Sequence, residues 1–440
     1  MKAFRFGVAS IDITPPVGIH MGGYWGRRSG ATDIHDRLMA KALVCGCGEA
    51  AIAIVAVDLV GLDADAVGEI RAEIEREAGL SGAAVMICAS HTHAGPLTIP
   101  FRGMGEIDAD YLRQVKDAVV GVVVAAATDC REGQLRYARS EVQIGLNCRE
   151  QRRGSTGIGQ NPAGPVVPYA HVLRFAATAG AGAMLFSHAC HPVVLGNDNH
   201  KISGDFAGAA ARHVEAETGE TALFINGACG DINPRITGGS FAEVEALGRE
   251  LGQAVLAGVA GAEFVAAQAL AYARERVDLP LIDPPARLRA AAEKLALQLK
   301  AELARGGDVW TQRVPRARLE WAEAMLELAR AGAGRDGVQP FEIQGLALGE
   351  MVLMGLEGEI FSRYQLDLEI AQGPSVLCGF ANGCIGYVPT ADEYPKGGYE
   401  VDEAYKVYPS VQMIAPTSEA LIRQRVNELA LGLRRGVTQR

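Results

Sequence analysis

Two histidines separated by a single residue are the strongest chemical signal in the chain. His91 and His93 lie in the segment Ser-His-Thr-His-Ala-Gly-Pro, directly after the apolar run Val85–Ala89, which has strand character. Side chains at i and i+2 of a strand point to the same side, and neutral imidazole is the commonest metal ligand. The spacing therefore predicts two rings that face one ion or one substrate atom. Two histidines at a surface turn are the alternative, because short motifs often match by chance.

A second histidine cluster follows another apolar run. The segment Ser187–Pro192 is Ser-His-Ala-Cys-His-Pro, and three of the nine histidines lie between residues 188 and 200. Two histidine motifs that each follow a strand favour one shared ion. We expect one of the three histidines to be a ligand, while the others pack or line the rim of the site.

A third motif, Asn226–Pro234, is rich in small residues. Such residues let the backbone approach a ligand closely, and Asp231 and Asn233 add polar groups. Gly227, Cys229 and Asp231 are therefore candidate substrate contacts. Cys229 could also act as a thiol nucleophile, but a free cysteine is more often a small buried side chain, and burial is the expectation here.

The elements that must position these motifs alternate in type. Short apolar strands are followed by amphipathic helices, and this alternation predicts an α/β (α+β) fold with a mixed, largely buried β-sheet flanked by helices. The predicted strands are 51–57, 85–89, 182–186 and 221–225. The predicted helices are one capped by Asp63 and ended by Gly79, then 110–127, 205–218 and 241–259.

The later part of the chain changes in composition. The proline-rich stretch 279–285 indicates a linker, and the residues after it predict a helical hairpin near 286–331, with helices Ala286–Arg305 and Pro315–Ala331. Strands are predicted at Phe341–Leu348 and Met351–Leu356, and a final helix at Thr417–Leu433. We expect one domain over residues 1–440, with the hairpin as a subdomain within it.

Composition excludes several classes of function. The chain has 440 residues and a formal net charge of −10, which is unsuited to nucleic-acid backbones or anionic membranes. No leader peptide is expected from the first residues, and the longest apolar stretch, between Asp117 and Asp129, is too short to span a bilayer. Nine scattered cysteines indicate reduced thiols rather than a disulfide framework. These features predict a cytoplasmic globular protein.

The ordered set of motifs resembles the catalytic domain of the neutral/alkaline ceramidases. The resemblance covers roughly residues 5 to 410 and is weakest over the helical hairpin. The segments that carry it are His91–Pro96, His191-Pro192, Gly230–Pro234, Gly358-Glu359 and the Tyr387…Tyr399 spacing, with Asp12–Pro16, Met21–Tyr24 and His35-Asp36 near the start. Secreted members carry a leader peptide and a C-terminal immunoglobulin-like domain, and neither is expected here.

The resemblance implies a single zinc ion and a role for each motif. The implied zinc ligands are His91, His191, Glu359 and Tyr387. The implied catalytic residues are His93 and Tyr399 as stabilisers of an oxyanion, Arg149 beside the site, and Asp205 (or Glu359 itself) as a proton shuttle. The family's serine aligns with Gly227 in this chain, and zinc-activated water needs no protein nucleophile.

We therefore predict a zinc-dependent hydrolase that cleaves the amide bond of a small soluble molecule. A zinc-dependent esterase or lactonase, and a metabolite-binding protein that keeps the fold without catalysis, remain alternatives. A third alternative is an amidohydrolase barrel, which also places His-x-His at a strand end, but on its first strand. Nucleic acids and membranes are not expected as partners, and homo-oligomerisation is left open.

Overall fold

A computed structural model describes residues 4–46, 51–267, 269–282, 286–330, 337–410 and 412–436, apart from the side chains of 286–288 and 310. The helices are α1 Ala64–Ala78, α2 Ala109–Thr128, α3 Asp205–Thr218, α4 Phe241–Ala260, α5 Ala286–Leu303, α6 Val309–Arg330, α7 Ser362–Gln372 and α8 Ser418–Arg434. The strands are β1 Arg5–Asp12, β2 Asp33–Ile34, β3 Met39–Cys45, β4 Ile52–Val57, β5 Val85–Ala89, β6 Arg131–Glu141, β7 Gly145–Arg152, β8 Ser155–Asn161, β9 Tyr169–Ala177, β10 Ala183–His188, β11 Lys201–Ile202, β12 Thr221–Asn226, β13 Ile232–Pro234, β14 Glu263–Val265, β15 Leu270–Pro280, β16 Val338–Leu348, β17 Met351–Leu356, β18 Glu359–Ile360, β19 Ser375–Cys378 and β20 Tyr387–Val388.

The largest sheet is mixed, as predicted. Its strand order is β12-β10-β9-β6-β1-β3-β4-β5, with β14 beside β6. β4 and β5 are parallel, as are β10 and β12, whereas the other neighbours described for this sheet run antiparallel. An amidohydrolase barrel is excluded, because that fold is built from parallel strands.

A second sheet, β15-β16-β17-β19, packs against the first and makes a four-layer arrangement. Alternate residues of a strand face opposite sides. In β4, Ala53, Val55 and Val57 face the core formed with α1 to α4, while Ile52 and Ile54 face the second sheet. The other side of the second sheet is covered by α7 and α8. Both sheets are therefore buried between two layers of helices.

The caps of α1 explain why its ends were predictable. Asp63 Oδ1 accepts the Ala66 backbone N–H at 2.7 Å, which satisfies one of the free donors at a helix start. Gly79 ends the helix with φ of 67°, a left-handed conformation that glycine adopts at little cost. Helix α3 also has the predicted bounds.

The helical hairpin is confirmed, with differences at its boundaries, and α5 ends at Leu303 rather than at Arg305. Helix α6 begins at Val309 rather than at Pro315, because Asp308 Oδ1 accepts the Thr311 N–H at 2.8 Å and caps the helix earlier. Leu279 and Pro280 belong to β15 rather than to a linker, while 283–285 and 331 lie outside the described residues. The hairpin has its own small apolar core around Trp321, Ala322 and Met325.

Candidate metal centre

The site lies at the carboxyl ends of β5, β10 and β12. These ends are joined by Asn226 at the end of β12, whose Nδ2 donates to Ser90 O at 3.0 Å and to Cys190 O at 3.2 Å. The residue after Ser90 is His91, and the residue after Cys190 is His191. One buried amide therefore brings the two histidine motifs together.

The two histidines of the first motif are not on a strand. β5 ends at Ala89, and His91 has φ of 65° in the loop that follows. The predicted reason for their proximity was therefore wrong, although their Nε2 atoms do lie 3.0 Å apart. The left-handed turn at His91, rather than strand alternation, directs both rings to one point.

His91, His191 and Glu359 converge on this point. Glu359 begins β18, which pairs with β20, and its Oε2 lies 2.9 Å from His191 Nε2 and 3.6 Å from His91 Nε2. His91 Nδ1 lies 2.6 Å from the Val60 carbonyl, and His191 Nδ1 lies 2.8 Å from the Cys229 carbonyl. Because a carbonyl oxygen only accepts, both Nδ1 atoms carry a proton. The Nε2 lone pairs of two neutral rings would then face a carboxylate.

Such a convergence of lone pairs requires a cation. Burial lowers the pKa of His91 to about 4, so this ring is neutral at neutral pH. Burial works against charge on His191 as well, but contacts with Cys229 and Glu359 raise its pKa, so that a proton supplies the cation when no metal does. The ring nitrogens of His91, His93 and His191 lie within 4.8 Å of one another. Nitrogen and carboxylate donors in this arrangement fit a zinc ion.

His93 belongs to the same cluster. Its Nδ1 is buried and has no hydrogen-bond partner among the described residues. Burial and the neighbouring His91 and His191 hold its pKa well below the ordinary value. His93 thus belongs to the same cluster of ring nitrogens as the two predicted ligands, His91 and His191. Its predicted role beside the ion stays a prediction.

Tyr387 and Tyr399 lie near the cluster. The ring of Tyr387 is centred 6.4 Å from that of His191 and 6.0 Å from that of Tyr399. Burial raises the pKa of both phenols above the ordinary value, so both stay protonated in the absence of a metal. Tyr399 is thus able to donate a hydrogen bond into the pocket.

Arg149 contacts the chain segment that carries Tyr399. Its guanidinium donates to Glu393 Oε2 at 2.7 Å and to the Gly397 carbonyl at 2.6 Å, and it also pairs with Glu400. These partners flank Tyr399 in sequence. The described contacts of Arg149 thus hold the segment that carries Tyr399.

Asp205 lies at the start of α3 and faces backbone rather than the cluster. Its carboxylate accepts the N–H groups of Phe206 at 2.7 Å and Leu195 at 3.3 Å. Burial raises its pKa to about 7. Both carboxylate oxygens of Asp205 are thus held by backbone N–H groups, and the described hydrogen bonds of Asp205 do not link it to the histidine cluster.

The three candidate substrate contacts lie behind the pocket wall. Gly227 packs against Gln365 and Ala189, and Asp231 accepts the backbone N–H of Ser362 at 2.7 Å. Cys229 orients His191 through its carbonyl. Among the described residues of the motif Asn226–Pro234, the one that lines the pocket is Asn233.

A cavity of about 510 Å³ opens onto the cluster. Its lining includes His93, His191, Tyr387 and Tyr399. The remaining lining residues come from loops and strand edges, and they are Gly23, Tyr24, Trp25, Met104, Ile158, Val193, Gly196, Asn197, Asn233, Thr237 and Gly238. The polarity of Asn233 was noted from the sequence, and Gly23 and Tyr24 lie in the Met21–Tyr24 segment of the resemblance without a predicted role. The other wall residues stand in no motif that the sequence analysis used.

The αββα fold holds a buried histidine–carboxylate centre that is a candidate metal site. The chain belongs to the neutral/alkaline non-lysosomal ceramidase family, whose N-terminal model matches residues 4–249, and the predicted resemblance is thereby confirmed. No curated protein sequence matches the chain.

Two solved structures share the fold. A neutral ceramidase from Pseudomonas aeruginosa is 20% identical with a TM-score of 0.76, covering 100% of this chain and 75% of that one. A ceramidase complexed with C2 is 18% identical with a TM-score of 0.76, covering 99% and 76%.

Proposed function

We propose that the protein is a zinc-dependent amidohydrolase, with one zinc per chain, that cleaves the carbon–nitrogen bond of a small, uncharged amide. The observation that carries this proposal is the convergence of His91 Nε2 and His191 Nε2 on Glu359 Oε2. His91, His191, Glu359 and Tyr387 would hold the ion, with His93 within reach of it. A zinc ion there would polarise the substrate carbonyl and make a water nucleophilic at neutral pH.

The residues around the cluster then stabilise the charge that develops on the carbonyl oxygen. Tyr399 stays protonated and neutral His93 keeps one ring N–H, so both pocket residues can donate hydrogen bonds to this oxygen. Because both donors are held before the substrate arrives, little reorganisation is needed during the reaction. Arg149 keeps the Tyr399 segment in place through Glu393 and Glu400.

The pocket supports a compact and uncharged substrate. Its volume of about 510 Å³ lies in the range of sites for drug-sized molecules. No Asp, Glu, Lys or Arg stands among the described residues that line it. A substrate with a free carboxylate would therefore lack a counter-charge from the wall. Asn197, Asn233 and Thr237 offer hydrogen bonds to a hydroxyl or amide group on one side.

Ceramide is the second candidate substrate, and family membership favours it. In the part of the chain that the structure describes, every helix is too short or too polar to cross a bilayer. Turnover of an ester or lactone, the cytoplasmic location and the oligomeric state stay predictions.

The test combines metal analysis with matched substrates. We expect one tightly bound zinc per chain, lost in His91→Ala and His191→Ala but kept in His200→Ala, whose half-buried ring bonds to Ser29 instead. The substrate panel pairs an N-acyl amino alcohol with the N-acyl amino acid of the same skeleton, together with an ester, a lactone and a short-chain ceramide.

The expected result is zinc-dependent turnover that prefers the uncharged small amide. A purified protein without affinity for zinc would contradict the mechanism. Zinc binding without turnover of any substrate would indicate the non-catalytic alternative, and preference for the ceramide would overturn the small substrate.

A further inference from the structure

Tyr408 makes a contact with the candidate ligand Glu359 that the family resemblance does not imply. Its hydroxyl donates to Glu359 Oε1, while the other carboxylate oxygen, Oε2, faces His191 at 2.9 Å. Tyr408 is 4% exposed, and Glu359 is 2% exposed. One oxygen of the Glu359 carboxylate therefore accepts a hydrogen bond from Tyr408, and the other faces the histidine cluster.

We propose that Tyr408 is a positioning residue that fixes Glu359 so that a single oxygen, Oε2, is presented to the metal. A carboxylate on a free side chain rotates between binding through one oxygen and through two. A donor bound to Oε1 stops this rotation and lowers the entropy lost when the ion binds. Second contacts of this kind orient ligands in metal sites generally. The inference rests on the proposed function, because it assumes that Glu359 binds a metal.

Close packing on several sides restrains the Tyr408 side chain. Its ring packs edge to face on Phe101, with centroids 5.0 Å apart. Gly386 lies under the ring with φ of 107°, and a Cβ at this position would come within 3.0 Å of Tyr408 Cδ2. Cys384 Sγ lies 3.8 Å from the Tyr408 hydroxyl. A larger residue at position 386 would displace the ring.

Arg102 anchors the backbone of the same segment. Its guanidinium donates to the carbonyls of Tyr408, Pro409 (2.6 Å) and Ser410 (3.0 Å). The Arg102 backbone N–H also donates to Val407 O at 2.7 Å. One planar guanidinium therefore holds three consecutive carbonyls and restrains the backbone from which the Tyr408 side chain extends. Arg102 therefore supports Glu359 through Tyr408.

The experiment measures zinc affinity by competition with a chromophoric chelator, and the visible absorption spectrum of the Co²⁺-substituted protein. We expect Tyr408→Phe to weaken zinc binding roughly ten- to hundred-fold and to change the Co²⁺ spectrum, because Glu359 is then free to bind through both oxygens. Arg102→Gln should weaken zinc binding in the same direction by less. The matched control is Tyr111→Phe, another buried tyrosine, whose hydroxyl donates to the Ile13 carbonyl at 2.6 Å.

The outcomes separate the two proposals. Unchanged zinc affinity and an unchanged spectrum in Tyr408→Phe would overturn the positioning role while leaving the proposed function intact. An equal loss in Tyr111→Phe would also overturn it, because the effect would then be general loosening. Wild-type protein without zinc affinity would overturn both. The thermal midpoint of each metal-free variant shows whether the fold is retained.

Discussion

His191 Nε2 lies 2.9 Å from Glu359 Oε2, while the opposite nitrogen of the same ring is committed to the Cys229 carbonyl. With Nδ1 protonated, a neutral His191 ring would direct the lone pair of Nε2 at a carboxylate oxygen. This contact is favourable only when a cation lies between or beside the two groups. A proton does so in the metal-free protein, and we propose that zinc does so in the active one. Metal binding therefore competes with protonation at His191, as at other sites whose ligands must lose protons.

Zinc should stabilise the fold. A ligand that binds only the folded state adds about 4 kcal/mol to the free energy of unfolding at a thousand times its dissociation constant. We expect the thermal midpoint of metal-free protein to rise on titration with Zn²⁺, and Mg²⁺ to have little effect, because nitrogen-rich sites disfavour it. In His191→Ala the zinc-dependent rise should vanish. A rise of equal size in that variant would place the ion elsewhere.

Replacing Gly227 with the family's serine should not improve catalysis. A Cβ at this position would come within 2.8 Å of Gln365 Oε1 and 3.0 Å of Ala189 Cβ, behind the pocket wall. We expect Gly227→Ser to lower the free energy of unfolding by about 1–3 kcal/mol, measured by urea denaturation, without raising kcat. Gly121→Ser is the control, since this exposed helical glycine has open space around it. A gain in kcat would show that the serine reaches the substrate.

Arg27 should matter for turnover without binding the metal. Its guanidinium donates to the carbonyls of His93, Gly22 and Asn199, and so holds the loop that carries the cluster. Lysine cannot make these three contacts at once. We expect Arg27→Lys to lower kcat/KM by roughly ten- to hundred-fold at unchanged zinc content. Arg37→Lys is the control, because Arg37 forms an exposed pair with Asp12, and an equal loss there would contradict the role of Arg27.

His188 should make stability depend on pH. Burial lowers its pKa to about 4 from an ordinary value of 6.5. Between these values the unfolded chain binds a proton that the folded chain does not, so stability falls as the pH falls. The loss attributable to His188 is about 2 kcal/mol between pH 7 and pH 5. In His188→Gln the free energy of unfolding, measured by urea denaturation, should fall by about 2 kcal/mol less between pH 7 and pH 5 than in the wild type. Parallel pH profiles for wild type and His188→Gln would contradict this.

Local signals in the sequence were enough for much of the fold. Asp63 and Gly79 mark the ends of α1, and the bounds of α3 and β17 agree with the predictions. The pairing of two sheets was not predictable, because a strand buried on both sides does not reveal whether a helix or another sheet covers each face. Ile54 and Val55 of β4 are both β-branched and apolar, yet they face different layers.

The candidate site was predicted through its motifs rather than its geometry. His91, His93, His191 and Glu359 were found because their segments stand in a recognisable order. Tyr408 was missed, because an aromatic residue outside a motif carries no chemical mark in a sequence. Its importance comes from a contact over 49 positions of chain, which only the folded structure reveals.

The helical hairpin touches both sides of the pocket without supplying any of the described lining. Arg313 of α6 donates to Gly103 O at 2.9 Å, next to Met104 in the pocket wall. Trp321 of the same helix packs on Tyr405, with ring centroids 6.1 Å apart, just beyond the Tyr399 segment. The hairpin therefore supports the pocket wall from outside, next to Met104 on one side and near the Tyr399 segment on the other. Its replacement would change what holds this wall in place, because the described lining residues all lie in other parts of the chain.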